Sequence, residues 1–477
     1  MEKRRFLAFL VLLFLLVSLM ARGEVSFAVL AQDSKNGNLE QVPLLNGLPE
    51  SSRFAMLVVS FNRTFGGSEN DYFYSVINTL DNGFLFVGGT DSYGSGDTDF
   101  WIVKANSSGR MQWAKSYGRA GKEEAHSVVQ TSDGGFAILG TTSSFSSELE
   151  YDFWLVKIDS LGNLLWNRTY GGTGTDDGWS IIELASSELV LVGWTSSYGN
   201  GSGDSYLIKT DRDGNLLWNR TYGGPQLDVS SSIREAVGGG FILAGYTYSL
   251  GAGASDFWLI RTDAWGNQVW NRTLGGIGDD FCFSVARTTD GGYAALGSTS
   301  SFGAGVYDFW LAKLDQTGIV LWNRTYGGSG YDEGWTIIQA SGGDLGCVGW
   351  TESYGSGKSD CWLIATDAQG NIKSEKVWGG TEYDYAYGGV LASNKVYVLA
   401  GQTTSFGIGG YDSLLLGLGK LGDVNRDGII NVLDLILVAN ALGTHPGDPK
   451  WNPGADLNQD GSINVLDLIV VATYLGA

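Results

Sequence analysis

A seven-residue phrase, Trp-Asn-Arg-Thr-Tyr-Gly-Gly, begins at Trp166 and returns at Trp218 and Trp322, with a near copy from Trp270. Looser copies start at Phe61 and Trp113, and a decayed one starts at Ser374 and ends Val-Trp-Gly-Gly. The starts at 61, 113, 166, 218, 270, 322 and 374 are separated by 52, 53, 52, 52, 52 and 52 residues. A fixed period of this length implies one supersecondary unit repeated, each copy burying its apolar face against the next.

Each unit holds four strand-like runs. In the fourth copy they are residues 229–236, 240–248, 256–263 and 268–273, and the third alternates apolar and polar residues as a half-buried strand does. Glycine-rich turns at 238–240, 251–253 and 265–267 separate them. No segment of the unit carries helical periodicity. Four antiparallel strands per unit make a propeller blade, and seven units close a ring. The last copy stops after its third strand, at 411–419, while residues 55–64, before the first copy, match the missing fourth. The N-terminal strand is therefore expected to complete the last blade, leaving no open sheet edge. The expectation is an all-β seven-bladed β-propeller with four-stranded blades over 52–421, after a polar, loosely structured lead-in at 24–51.

Two acids and a threonine recur in every unit. The first acid is Asp71, Glu123, Asp176, Asp228, Asp280, Asp332 or Asp384. The second is Asp99, Asp152, Asp204, Asp256, Asp308, Asp360 or Asp412. A threonine (Thr247 in the fourth copy) ends the second strand. Sevenfold recurrence favours a structural role, with each carboxylate accepting turn N–H groups. The competing reading is an acidic ring that gathers cations or polyhydroxyl ligands. Trp179, Trp194, Trp335 and Trp350 are extra aromatics of the third and sixth copies. Blade-to-blade packing is the favoured reading for them, and a sugar-stacking surface is the alternative. No convincing break of symmetry marks an active site.

The chain starts Lys3, Arg4, Arg5, continues with an apolar stretch at 6–20, and reaches small residues around Ala21 and Gly23. That is the pattern of an export signal at 1–23, too short for a bilayer span of about 20 residues. A secreted, extracellular or surface-associated protein is expected, with no membrane attachment once the signal is removed. The net charge of −21 argues against a nucleic-acid partner. With only two histidines, His126 and His445, a histidine-based triad or zinc site is not expected. The three cysteines, Cys282, Cys347 and Cys361, have no metal-ligand spacing and are read as small buried hydrophobes.

After residue 421 the pattern changes. Asp423, Asn425, Asp427, Asn431 and Asp434 stand at positions 1, 3, 5, 9 and 12 of a loop with Gly428 at position 6. Asp456, Asn458, Asp460, Asn464 and Asp467 repeat the pattern 33 residues later, with Gly461 at position 6. The carbonyls of Ile429 and Ser462 would supply position 7. A hard cation takes six to eight oxygens, so each EF-hand-like loop is expected to hold one calcium ion, two in all. Apolar residues at helical spacing follow each loop, giving a small all-α unit over 422–477.

This tandem resembles the type I dockerin, in two loops without a preceding helix, Asp at position 12 and near-twofold internal symmetry. The resemblance implies that calcium folds the domain, which then binds a cohesin on a scaffold protein, and the duplicated helices imply two docking orientations. Partner choice in the family rests on positions 10 and 11, often Ser or Thr. Here they are Val432 and Leu433, and Val465 and Leu466. The chain is thus expected to be a component of a cohesin–dockerin, cellulosome-like assembly. Its propeller would act as a binding or adhesion module, for which polysaccharide or surface glycan is a candidate ligand. The alternatives are a polysaccharide-degrading hydrolase or lyase and a structural spacer.

Overall fold

The structure is a computed structural model and describes residues 29–32, 39–42, 57–145, 150–427, 429–458 and 460–475. The export-signal reading at 1–23 lies outside the described residues. Within the lead-in, Val29–Gln32 and Leu39–Val42 pair as a short antiparallel ribbon that the sequence reading did not anticipate.

Seven four-stranded antiparallel sheets follow, each meandering outward from its first strand. The seven first strands are Asp71–Asn78, Glu123–Gln130, Asp176–Glu183, Asp228–Glu235, Asp280–Arg287, Asp332–Gln339 and Asp384–Leu391. The chain forms a seven-bladed β-propeller. Leu57–Phe65 pairs antiparallel with Asp412–Lys420 and supplies the outer strand of the seventh blade, as the phasing of the repeat predicts. First and last strands of the propeller are thereby zipped together, and no blade is left with an unpaired outer position.

Second and third strands are buried along nearly their whole length, as in Phe241–Thr247 and Asp256–Thr262. Their two faces both meet neighbours, which is why they read as continuous apolar runs. The buried residues sort into seven clusters, one per blade interface. Phe257 and Leu259 of the fourth blade, for instance, pack with Val285, Tyr293 and Trp310 of the fifth. Cys282, Cys347 and Cys361 are buried free thiols inside three of these clusters.

The repeated phrase is a clamp between blades. Trp218 takes Arg220 over its ring at 5.4 Å, and Tyr222 donates its hydroxyl to the Gly266 carbonyl at 2.5 Å in the turn of the next blade. Gly266 has φ +80°, and a Cβ there would lie 2.8 Å from the Trp218 ring, so only glycine lets the indole close over the turn. The Gly-Gly that ends the phrase has a steric cause as well. A Cβ on Gly275 would lie 2.0 Å from Asp256 Oδ1 and 2.7 Å from Asp280 Oδ2.

Those carboxylates are the two recurrent acids, and both are structural. Asp228 is fully buried and accepts the Gly224 N–H at 2.7 Å, the Ser249 hydroxyl at 2.7 Å and the Thr247 hydroxyl. Asp256 accepts the N–H groups of Ala252 and Gly253 at 2.9 and 3.2 Å. Each acid fixes a glycine-rich turn that the sheet itself leaves without partners.

The C-terminal unit is built on two short helices, α1 at Val432–Ala441 and α2 at Val465–Thr473. Ile430, Val438, Ala441, Ala455, Ile463, Leu468 and Val471 form its buried core. Among the described residues no helix is long and apolar enough to cross a membrane.

Candidate functional site

Both helices of the C-terminal unit begin in the same way. Asn431 and Asn464 cap them, accepting the N–H groups of Leu433 and Leu466 at 2.8 Å. Asp434 and Asp467 complete capping boxes by accepting the N–H groups of Asn431 at 2.9 Å and Asn464 at 2.8 Å. The same two carboxylates reach back across their loops. Asp434 accepts the Asn425 N–H at 3.0 Å, and Asp467 accepts those of Leu457 and Asn458 at 2.7 and 3.3 Å. Position 12 of each loop is thus fully buried and returned onto position 3.

The second loop allows a fit test for a hard cation. Gly461 has φ +81°, and its N–H donates to Asp456 Oδ2 at 3.1 Å, the tight turn the loop pattern demands. Asp456 Oδ1 is buried and has no hydrogen-bond partner among the described residues. Asp460, exposed, folds onto its own loop, accepting the Ser462 N–H and hydroxyl at 2.8 and 2.7 Å. An orphaned carboxylate oxygen inside a ring of oxygen-bearing side chains suits a calcium ion. Among the described residues no three His, Cys, Asp or Glu side chains form a metal cluster. Amide and backbone oxygens of Asn458, Ser462 and Asn464 would have to complete the set, as positions 3, 7 and 9 of such loops do. The first loop brings Asp423, Asn425, Asp427, Ile429, Asn431 and Asp434 onto one segment, but its Gly428 lies outside the described residues.

The helix positions read as partner-facing are exposed. Val432, Leu433, Val465 and Leu466 all stand in solvent, and Ile436 joins them one turn along α1. An unpartnered apolar strip beside a charged loop is the feature that protein interfaces exploit. Ile436 was missed from sequence because its neighbours Leu435 and Leu437 are equally apolar, and only packing shows which faces outward.

In the propeller the seven first strands surround a central cavity of about 780 Å³. Every one of these strands carries a bulge at the same place, skipping Tyr74, His126, Trp179, Ser231, Phe283, Trp335 and Tyr387. A bulge re-aims the extra residue away from the ladder, and here all seven line the cavity. Six are aromatic, counting His126, and their rings run in contact around the axis. Phe283 stacks on Trp335 at 4.4 Å, Trp335 meets Tyr387 at 5.0 Å, and Tyr387 meets Tyr74 at 5.4 Å. Tyr74 meets His126 at 5.2 Å, and His126 stacks on Trp179 at 4.6 Å. Ser231 is the gap. Trp179 and Trp335 do pack from blade to blade, as the sequence reading favours, and they do so at the axis, where they also form part of the cavity wall. Trp194 and Trp350 sit on second strands, opposite Asp177 and Glu333 in the ladder.

Two residues before each bulge stands Tyr72, Glu124, Asp177, Val229, Phe281, Glu333 or Tyr385, so this level of the ring carries three acids. Asp177 accepts the Trp179 indole N–H at 3.0 Å and lies 3.6 Å from His126 Nδ1, which is itself 2.9 Å from the Gly178 carbonyl. Burial pushes the Asp177 carboxyl upward, opposed by His126. Glu124 accepts the Tyr72 hydroxyl. Burial raises Glu333 from 4.5 to about 7.

That shift has a consequence for stability. The folded chain keeps the Glu333 proton between about pH 4.5 and 7, where the unfolded chain releases it, so stability falls as pH rises through that window. Glu333→Gln is expected to be near neutral at about pH 4 and to stabilise the propeller at about pH 8, by up to about 3 kcal/mol. Denaturant unfolding of both chains at the two pH values checks it, and an equal offset at both would show that Glu333 ionises normally.

Residues 421–476 match the Dockerin type I domain. No curated protein matches the chain. Among solved structures, the Pan2 WD40 domain of Neurospora crassa superposes with a TM-score of 0.50 at 10% identity, over 76% of this chain and 95% of that one. A protein of unknown function from Dyadobacter fermentans gives 0.42 at 11% identity, over 76% and 99%. Another from Bacteroides caccae gives 0.38 at 15% identity, over 62% and 93%. The Pan2 likeness is one of fold.

Proposed function

Because residues 421–476 are a type I dockerin domain, which implies a cohesin-binding component of a cellulosome-type assembly, we propose that this chain is an exported subunit that carries a saccharide-binding propeller to such a scaffold. Calcium, held at Asp423, Asn425, Asp427, Ile429, Asn431 and Asp434 and at Asp456, Asn458, Asp460, Ser462, Asn464 and Asp467, orders the loops. Val432 and Leu433, or their symmetric counterparts Val465 and Leu466, meet the cohesin, so the domain has two ways of docking. Apolar residues at these positions select a cohesin with an apolar counterpart.

The observation that carries the propeller's role is the aromatic ring at its axis. Sugar rings have apolar faces that stack on indole and phenol, and a cavity of about 780 Å³ is in the range of small-ligand sites. A second reading, cleavage of polysaccharide, draws support from the raised carboxyls of Asp177 and Glu333 at the neighbouring level, since a glycosidase needs a protonated acid beside a carboxylate.

The test incubates the full chain, in calcium, with a panel of insoluble and soluble polysaccharides and measures protein depletion and new reducing ends together. Depletion without reducing ends is expected. Reducing ends would replace the binding reading with the enzymatic one, and neither signal would remove saccharide as the ligand class.

A further inference from the structure

The fourth blade breaks the symmetry of the central cavity twice. Ser231 interrupts the aromatic ring. Three residues on, Arg234 occupies the position held by Ile77, Val129, Ile182, Ala286, Ile338 and Val390 in the other six blades. All seven of these residues line the cavity, each from the first strand of its own blade. An arginine where six blades place an aliphatic side chain is costly unless something pairs with it, because a guanidinium carries five donors and a charge.

Arg234 has little to pair with inside the protein. Its side chain donates to the Ile233 carbonyl at 2.7 Å, and it forms no ion pair among the described residues. Burial alone drags its basicity down, with no carboxylate opposing. The next blade adds Arg287 to the same wall. Although the chain carries a net charge of −21, no aspartate or glutamate is found among the described residues lining the cavity. The acids of the neighbouring level, Glu124, Asp177 and Glu333, are absent from that lining. The lining therefore carries two guanidinium groups and no carboxylate, while Glu183 and Glu235 hold the strand position of Arg287 in the third and fourth blades without lining the cavity.

A second unsatisfied group lies in the same wall. The Gln339 amide donates to the carbonyls of Ala340 and Asp344, both at 2.9 Å, which fixes its orientation. Its Oε1 has no partner among the described residues and is buried out of the reach of solvent, so it does not open into the cavity. The cavity thus offers a half-buried cation without a carboxylate partner and a stacking ring. A ligand that answers both has a carboxylate for Arg234 and a ring with an apolar face.

We propose that the central cavity of the propeller binds a carboxylate-bearing saccharide, with Arg234 as the carboxylate-binding residue. This deepens the saccharide-binding reading above and rests on it. Guanidinium and carboxylate meet as a two-point fork, which would set the orientation of the sugar in the channel.

The experiment measures binding of digalacturonate and of its methyl ester to the full chain by calorimetry at fixed salt and calcium, alongside the neutral polysaccharides already described. The acid is expected to bind about tenfold or more tightly than the ester. Arg234→Ile, which installs the residue of the first, third and sixth blades, is expected to bring acid binding down to the level of the ester and leave the ester unchanged. Arg234→Gln, which keeps a polar side chain, serves as a second variant, and thermal unfolding verifies that both fold. Equal binding of acid and ester, or acid binding that survives both substitutions, would overturn the assignment while the saccharide reading stands on the neutral ligands. Failure of every saccharide, acidic or neutral, would overturn both.

Discussion

Stripping calcium from the full chain is expected to unfold the C-terminal domain, abolish capture by a type I cohesin and leave the propeller intact. The domain's buried core amounts to seven apolar residues, Ile430, Val438, Ala441, Ala455, Ile463, Leu468 and Val471. A core of that size does not by itself offset the chain entropy of some fifty residues. The loops also place Asp456 Oδ1 in a buried position without a partner, a cost that an ion removes. A metal present at a thousand times its dissociation constant contributes about 4 kcal/mol to the folded state, and losing that lowers apparent cohesin affinity by roughly a thousandfold. Limited proteolysis provides the structural readout: cleavage confined to residues beyond 421 when chelator is present, and resistance when calcium is restored. Cohesin captured equally well in chelator would show that the helices stand without metal. Replacing Asp434 and Asp467 together by Ala should reproduce the effect of the chelator, since each carboxylate both caps a helix and closes its loop.

The architecture was legible in the sequence because its determinants recur. Glycines that no other residue can replace, such as Gly266 against Trp218, and acids that fasten turns, such as Asp228, must reappear in each blade, so the period announces itself. The missing fourth strand of the last copy was legible for the same reason. The C-terminal loops were legible because coordination fixes residue types at fixed spacing. The cavity ring was not. Its members are Tyr74, His126, Trp179, Ser231, Phe283, Trp335 and Tyr387, so five residue types share seven equivalent positions, and the bulge that turns them inward leaves no mark in apolar alternation. Comparing the residues thirteen after each start would have found it. Arg234 is one of 30 basic residues until it is set against its six aliphatic counterparts. The proposed ligand contacts of the propeller sit where its repeat is broken, whereas sequence reading is strongest where the repeat is kept. Nothing in the polar stretch around Val29–Gln32 and Leu39–Val42 distinguishes two four-residue strands from loop.

Asp228→Ala is expected to destabilise the propeller by about 3–5 kcal/mol, the largest loss from any single substitution considered for this unit. The carboxylate is fully buried, and three donors converge on it: the Gly224 N–H, the Thr247 hydroxyl and the Ser249 hydroxyl. Removing it takes the shared acceptor from all three, the Thr247 hydroxyl in a buried position and the other two in half-buried ones, and each unsatisfied donor costs about 1–3 kcal/mol. Asp228→Asn should also destabilise, because an amide nitrogen would face donors where the carboxylate presented only acceptors. The informative control is Asp263→Ala. Asp263 also accepts from three donors, the N–H groups of Trp265 and Asn267 at 2.9 and 2.8 Å and the Asn267 side-chain amide at 2.8 Å, but on an exposed outer turn where water replaces them. Its loss should be small. Guanidinium unfolding of the three variants against the parent separates the cases. If Asp228→Ala and Asp263→Ala shift the midpoint equally, the recurrent acids are not the fasteners of the blades, and the acidic-ring reading, in which they serve a ligand, regains its force. If only the buried site responds, seven such fasteners around the ring explain why the first acid of every blade is retained while the residues facing the cavity are free to differ.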